Sequence, residues 1–409
     1  MTAATEPDIV FPEVTRAGGP EVSILVVTYG APEVVKKCLA LLAGRTPPRA
    51  EVIVVDNGGP DSPGAFLSSH VHGATIVRNP RNVGFGAANG QAAALARAPL
   101  LFLLNPDAFV HEGWLPPLLE TAAHDPRAGA IAPRVLNADG TLQESGGLLF
   151  DRGLTRFNGF GEDPSAPAHL LPRVADYASA SALLVRTRLF HEVGGFDPRY
   201  APAYYEDVDL QLAFQERGFH TRLEPRSVVT HLRGASGGGS FALWHRNREL
   251  FFGRWAALCA RRPPDAGDPP DALLAAASRD APAVARFAVF ARGPADAEPL
   301  LARLLALWPP ARVTLFTEAP PGAQPRRGGA TRDAAERLAA QGVECFEGTD
   351  VLSARALHYD ACLVTSPSDA VSAVLASTQP QAIVVSGDSL ESGEALGDLL
   401  ASHGLPPAA

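Results

Sequence analysis

The strongest constraint on the fold is a rhythm that begins at Val22, where short apolar runs rich in β-branched residues alternate with longer stretches of Ala, Leu and other helix formers. Apolar runs of this length are strands buried on both faces, and the Ala/Leu stretches are helices. Strands are expected at Val22–Thr28, Glu51–Val55, Ala74–Val77 and Leu100–Leu104, with helices over Glu33–Ala43, Ser62–His70 and Ala87–Ala96 between them. Strand–helix–strand repetition demands crossover connections, so the fold class is α/β with a mixed, mainly parallel sheet and flanking helices. From Ala130 to Val185 the texture turns to shorter strands punctuated by glycine. Glu206–Arg217 then returns as a helix closed by Gly218, with a strand-like Ser227–Thr230 behind it.

Pro263–Pro270 reads PPDAGDPP, a cluster that almost no regular element can cross. The chain is therefore read as an N-terminal extension (1–20), a main domain (21–262), a linker (263–283) and a second, small doubly wound α/β domain (284–409). Four strand-like runs support the last: Phe287–Phe290, Val313–Phe316, Ala361–Val364 and Ala382–Val385, separated by helical stretches such as Ala297–Leu307 and Arg332–Gln341. No G-x-G-x-x-G follows its first strand, which ends Ala291-Arg292-Gly293-Pro294, and no phosphate loop occurs anywhere. A scaffolding or docking role is expected for it ahead of a second activity.

Composition narrows the function. With 35 basic against 44 acidic side chains the net charge is −9, which argues against nucleic acid as a partner. A small anionic ligand would need a metal ion or aligned backbone amides. Cys38, Cys259, Cys345 and Cys362 lack C-x-x-C spacing, against both a disulfide framework and a structural zinc site, and a reducing cytoplasm fits. Neither a signal peptide nor a long apolar span is visible, so membrane contact is expected to be peripheral at most.

In an open α/β sheet, ligands gather beyond the carboxyl ends of the strands. Those ends read Thr28-Tyr29-Gly30, Asp56-Asn57-Gly58, Arg78-Asn79 and Asn105-Pro106-Asp107. An acid after the second strand suits a base or ribose, and Asp107 suits a divalent cation. Turn formation and helix capping explain the same residues taken singly. The segment from Asn79 to Gly90 combines glycines with Asn82 and Asn89, which a bare turn explains less readily. Tyr204-Tyr205-Glu206-Asp207-Val208-Asp209 crowds three carboxylates at a helix start, more than the helix dipole needs. One acting as a base and another holding a substrate hydroxyl would account for them. His231 could complete a metal site begun by Asp107.

The motifs SILVVTYG, EVIVVDNGG, RNPRNVGFGAANG, LLNPD, GGFD and YYEDVDL, in that order, resemble the inverting glycosyltransferases of family 2, which have the GT-A fold. The resemblance is to the rhamnosyltransferase-like branch, with NPD where others carry DxD, and it covers Val22 to Arg262. It implies a nucleotide-sugar site at Thr28, Tyr29, Asp56, Asn57, Arg78, Asn82, Asn89 and Asn105. It further implies Mg²⁺ or Mn²⁺ on Asp107 and His231, Asp207 as catalytic base and Glu206 holding the acceptor. The partners so implied are a nucleoside-diphosphate sugar and a glycan or lipid-linked acceptor. Gly30 departs from the family's Asn, and Asn105 from the first Asp of DxD, which removes one negative charge and makes cation binding depend on the donor. A catalytically dead nucleotide-sugar-binding module is the main alternative. A nucleotidyltransferase would need a Gly-rich basic loop that Gly30-Ala31-Pro32-Glu33 does not supply.

After Gly234–Gly239, a glycine-rich flap over the donor, basic and aromatic residues alternate at helical spacing through 241–262. Two readings stand: peripheral contact with a membrane beside a lipid-linked acceptor, or aromatics packed on the main domain with the arginines solvated. Arg246-Asn247-Arg248 also resembles the RN-containing helix of the same branch. Oligomeric state, donor sugar and acceptor are left open by these residues.

Overall fold

The computed structural model describes residues 6–15, 18–59, 61–166, 169–170, 172–233, 241–260, 262, 286–307, 312–317, 343–347, 361–365, 371–372, 375, 383–386, 396, 398 and 400. The chain divides into two compact units, Met1–Ala122 with Arg127–Gly267, and Ala123–Pro126 with Asp268–Ala409. The expected linker at 263–283, the glycine-rich 234–239 and the helix at 332–341 lie outside the described residues.

The first unit is built on a ten-stranded sheet: β1 (Val22–Thr28), β2 (Ala50–Asp56), β3 (Thr75–Arg78), β4 (Leu100–Leu104), β5 (Ala108–Val110), β6 (Ala128–Leu136), β7 (Leu142–Glu144), β8 (Arg173–Ala175), β9 (Ala182–Arg186) and β10 (His220–His231). The order is β8-β10-β6-β9-β4-β1-β2-β3, with β5 paired to β10 and β7 to β6. Strands β4, β1, β2 and β3 run parallel, as expected. Beyond them β9 runs antiparallel between β4 and β6, which turns the carboxyl end of β4 and the amino end of β9 toward the same edge.

Alternation explains why the first runs are apolar throughout. Ile24, Val26, Val52 and Val54 enter one core, while Leu25, Val27, Ile53 and Val55 enter the other on the opposite face. Helix α1 (Pro32–Arg45) packs Val35, Cys38, Leu39 and Leu42 on the first face, a spacing that makes one continuous stripe. The valine and the two leucines each contribute about 1.5–3 kcal/mol on burial. Helix α2 (Gly64–His70) adds Phe66 and Leu67 to that face, and α3 (Phe85–Leu95) lays Ala88, Ala92 and Ala93 on the other. Helix α4 (Leu115–His124), α5 (Thr187–Glu192), α6 (Glu206–Gln215) and α7 (Phe241–Cys259) complete the described helices of this unit.

Strand β10 is twelve residues long, where only Ser227–Thr230 was expected. Its first half, His220–Pro225, carries polar residues that are buried in pairs: Thr121 donates to Glu224 (2.7 Å), which also receives Arg226 (2.8 Å). Such pairs hide the strand from a hydropathy reading, and register shifts near Glu224 let it continue alongside β6. Among the described residues no helix is long and apolar enough to cross a membrane.

The second unit holds a five-stranded, wholly parallel sheet of β11 (Arg286–Ala291), β12 (Arg312–Thr317), β13 (Glu344–Glu347), β14 (Ala361–Val364) and β15 (Ile383–Ser386), in the order β13-β12-β11-β14-β15. Helix α8 (Pro294–Leu307) packs Leu300, Leu301 and Leu304 against Phe287, Val289, Leu315 and Leu363. The edge strand β13 was not expected, because its sequence ECFE is bounded by acids.

Candidate active site

The ends of β1, β2 and β3 form the first part of the site. Asp56 is buried and accepts hydrogen bonds from the Gly58 amide (3.1 Å) and from Ser62 (2.8 and 2.9 Å), with Arg78 Nε 3.6 Å from its Oδ2. Gly64 makes room for this pair, since a Cβ there would fall onto both the Arg78 guanidinium and the Asp56 carboxylate. Tyr29 is half-buried beside Gly59, where a Cβ would lie 2.6 Å from the Tyr29 ring. Thr28, Asp56 and Arg78 are paired across the ends of β1, β2 and β3, and Tyr29 follows directly on β1.

Four residues expected at the nucleotide-sugar site, Thr28, Asn57, Asn82 and Asn89, make hydrogen bonds within the protein in this structure. Thr28 is fully buried, with Oγ1 turned toward the Val55 carbonyl (3.4 Å). The Asn57 side chain donates to Asn82 (2.8 Å) and accepts from Asn79 (3.0 Å) and from the Val83 amide (3.1 Å). Asn82 in turn accepts from the Gly84 amide (2.8 Å), so these amides shape the loop ahead of α3. Asn89 is buried and donates to Phe85 O (3.0 Å), one turn back along α3. An amide that looks idle in the sequence is here spent on its own backbone.

The second part lies where β4, β9 and β10 end together. Asp107 Oδ1 is 3.2 Å from His231 Nε2, and Asn105 Nδ2 is 3.4 Å from the same nitrogen. Pairing of His231 with Ala108 brings these residues, more than a hundred positions apart, into one cluster. The backbone then leads directly to the carboxylates: Asn105 N donates to Ser181 O (2.8 Å), and Ala180 N, next to it, donates to Asp207 Oδ2 (3.2 Å). Among the described residues no group of three or more His, Cys, Asp or Glu side chains could hold a metal ion. What the site offers a cation is one carboxylate and one imidazole, with the Asn105 amide beside them.

Helix α6 begins after Tyr204 and Tyr205, both in the left-handed region (φ 76° and 71°), and this turn presents Glu206 and Asp207. Asp207 Oδ1 accepts from Val208 N (2.9 Å) as well as Oδ2 from Ala180. Burial pushes both carboxyl groups up, and Glu206 goes further because the Asp207 charge adds to its burial. The amide donors favour the ionised form of Asp207. The two adjacent carboxyls thus differ in surroundings, since only Asp207 has the Ala180 and Val208 amides as donors. Asp209, the third acid of the motif, leaves the cluster. It accepts from Tyr200 (2.9 Å), Trp255 Nε1 (2.8 Å) and Arg254 (2.8 Å), which answers the crowding seen in the sequence.

Residues 23–186 match the family described as glycosyl transferase family 2. Over that stretch the chain resembles a family 2 glycosyltransferase domain. Among curated proteins it is similar to N-acetylglucosaminyl-diphospho-decaprenol L-rhamnosyltransferase of Mycobacterium tuberculosis, 28% identical over 254 residues that cover 56% of this chain and 82% of the relative. It is also similar to the O-antigen biosynthesis protein RfbC of Myxococcus xanthus, 28% identical over 54% of this chain but only 18% of that one. Of solved structures, GalNAc-T7 with UDP, GalNAc and Mn²⁺ has a TM-score of 0.45 at 18% identity, over 60% of this chain and half of that one.

Around the expected site residues stand Glu144 and Gln143 of β7, which reading by motif passes over, and the Arg246-Asn247 step of α7, which it marks. Glu144, from β7, is buried, and its Oε1 accepts from Ser179 N (2.9 Å), the amide before the one that holds Asp207. Burial, with the Asp207 charge adding to it against the Ser179 bond, pushes its carboxyl up to about 8. The side-chain oxygen of its neighbour Gln143 lies 2.8 Å from His231 Nδ1. From α7, Asn247 donates to the carbonyls of Tyr200 (2.7 Å), Ala203 (2.7 Å) and Tyr204 (3.0 Å), and Arg246 to that of Ala201 (2.7 Å). Phe251 and Trp255 are buried and Arg254 is ion-paired with Asp209, so this face of α7 packs inward and not all its arginines are solvated. Phe241, at its start, is 78% exposed. The polar Gln143-Glu144 step inside glycine-rich strands is the one sequence signal that could have drawn attention to β7.

Proposed function

We propose that this glycosyltransferase moves rhamnose or another hexose from a nucleoside-diphosphate donor to a hydroxyl of a glycan or lipid-linked acceptor, with inversion at the anomeric carbon. The observation that carries the reading is the convergence of Asp107, His231 and Asp207 at one sheet edge, linked through Asn105, Ser181 and Ala180. The mycobacterial relative's name supports the choice of a rhamnosyl donor and a lipid-linked acceptor. In this reading residues 21–262 are the catalytic domain, 284–409 a scaffolding or docking domain, and the reaction is cytoplasmic.

Asp56, Arg78 and Tyr29 hold the nucleotide at the ends of the first strands, with Asp56 accepting from base or ribose. Asp107 and His231, with Asn105 beside them, would hold Mg²⁺ or Mn²⁺, which when bound offsets the charge that develops on the diphosphate leaving group. Asp207 accepts the proton of the attacking hydroxyl. Glu206, protonated, hydrogen-bonds the acceptor and keeps a second negative charge out of the same pocket. Attack from the face opposite the diphosphate in a single displacement inverts the anomeric centre.

The test is incubation of the purified chain and Mn²⁺ with a panel of nucleotide sugars and acceptors, scored by nucleoside-diphosphate release. Asp207→Asn should lower kcat by ~10²–10⁴-fold, the usual worth of a positioned base, while leaving the thermal midpoint close to that of the wild type. Silence across the panel would favour a module that binds nucleotide sugar without turnover.

A further inference from the structure

The hydrogen bonds around His231 have a direction, and it can be followed from the backbone outward. Asn137 Nδ2 donates to Leu142 O and to Thr141 Oγ1 (both 3.0 Å), so its Oδ1 is the acceptor on the other side. Gln143 Nε2 donates to that Oδ1 and to the His231 carbonyl (both 3.0 Å), which uses both its hydrogens. The opposite amide orientation would set the Gln143 oxygen against two acceptors. Gln143 Oε1 is therefore what faces His231 Nδ1 at 2.8 Å, and an amide oxygen can only accept. We propose that Gln143 is a positioning residue that locks His231 in the Nδ1–H tautomer, leaving the lone pair of Nε2 directed at the space shared with Asp107.

The consequence is chemical. In that tautomer Nε2 and Asp107 Oδ1 are two electron-rich atoms 3.2 Å apart, and Asn105 Nδ2 at 3.4 Å is the neighbouring donor. A cation between nitrogen and carboxylate relieves their repulsion, and an imidazole with its proton on Nδ1 is already in ligand form. Partners of this kind, on the far nitrogen of a ligating histidine, commonly change metal affinity 10–100-fold. Gln143 is buried on the short strand β7 and touches His231 through both its Nδ1 and its carbonyl, so ring orientation and tautomer are set together. This use of the tautomer rests on the metal reading given above; the tautomer itself does not.

Long-range ¹H–¹⁵N correlation of the metal-free full chain at alkaline pH reads the tautomer directly, with the His231 signal assigned by its loss in His231→Ala. The wild type should show Nδ1–H. Gln143→Met should move the proton toward Nε2, where Asp107 is the remaining acceptor, and should weaken Mn²⁺ binding, followed by electron paramagnetic resonance with a panel of nucleoside diphosphates, by 10–100-fold. Gln143→Glu, which keeps an acceptor for Nδ1–H, should retain the wild-type tautomer. An Nε2–H signal in the wild type overturns the proposal, as does a Gln143→Met protein whose tautomer is unchanged or whose Mn²⁺ affinity stays within twofold. If the wild type binds no Mn²⁺ with any nucleotide, the metal reading falls, and the spectrum alone decides the role of Gln143.

Discussion

At Glu144 a carboxyl group is buried close enough to Asp207 to feel its charge, and its proton has consequences for stability. Its folded value of about 8 lies above the ordinary 4.5. Between those two values the unfolded chain releases a proton that the folded chain retains, so this group's contribution to stability falls as pH rises from about 4.5 and levels off above about 8. Glu144→Gln keeps an acceptor for Ser179 N and removes the titration. The thermal midpoint of the variant relative to the wild type should therefore climb between pH 5 and pH 8.5 in calorimetry. An offset that stays constant over that range would mean that Glu144 does not titrate there. At this scale the acids of YYEDVDL were legible as a chemical cluster because they adjoin in sequence. Glu144 was not, since its proximity to Asp207 depends on the consecutive amides of Ser179 and Ala180.

The loop before α6 is held as a unit by α7. Asn247 and Arg246 supply donors to the carbonyls of Tyr200, Ala201, Ala203 and Tyr204, and Phe85 N, at the start of α3, donates to Pro202 O (3.1 Å). Every carbonyl from 200 to 204 is thus engaged just ahead of the strained turn that delivers Asp207. Asn247→Ala leaves three acceptors without this donor, at about 1–3 kcal/mol for each one left buried and unsatisfied. We expect a lower thermal midpoint together with a kcat reduced at least tenfold at temperatures where the variant is folded, and a donor KM within a few-fold of wild type. A kcat unchanged under those conditions would show that the turn holds its shape without Asn247. Helices α6 and α7 were both readable from the sequence as elements, the first by its acids and closing glycine. Their mutual grip was not, because the bonds join residues more than forty positions apart.

Among the described residues the ten-stranded sheet carries an apolar layer on each face, and the five-stranded sheet has a core cluster of its own. Separate cores melt as separate cooperative units unless an interface couples them. Scanning calorimetry of the full chain should therefore resolve two transitions, and Asp207→Asn should shift neither greatly; a single transition would show that the units unfold together. Strands β1, β4 and β14 stand at the expected residues because full burial on both faces requires unbroken apolar runs, which composition displays directly. Strand β10 and edge strand β13 were obscured for the converse reason, polar residues standing where hydropathy looks for apolar ones. The sequence by itself determined the alternation of layers and which residue types stand at strand ends, since both follow from local burial and spacing. Only the tertiary structure decided which of those side chains face a common space. It engaged Thr28, Asn57, Asn82 and Asn89 in hydrogen bonds within the protein and brought Gln143 and Glu144 to His231 and Asp207, because strand pairing and hydrogen-bond partners are settled between segments distant in the chain.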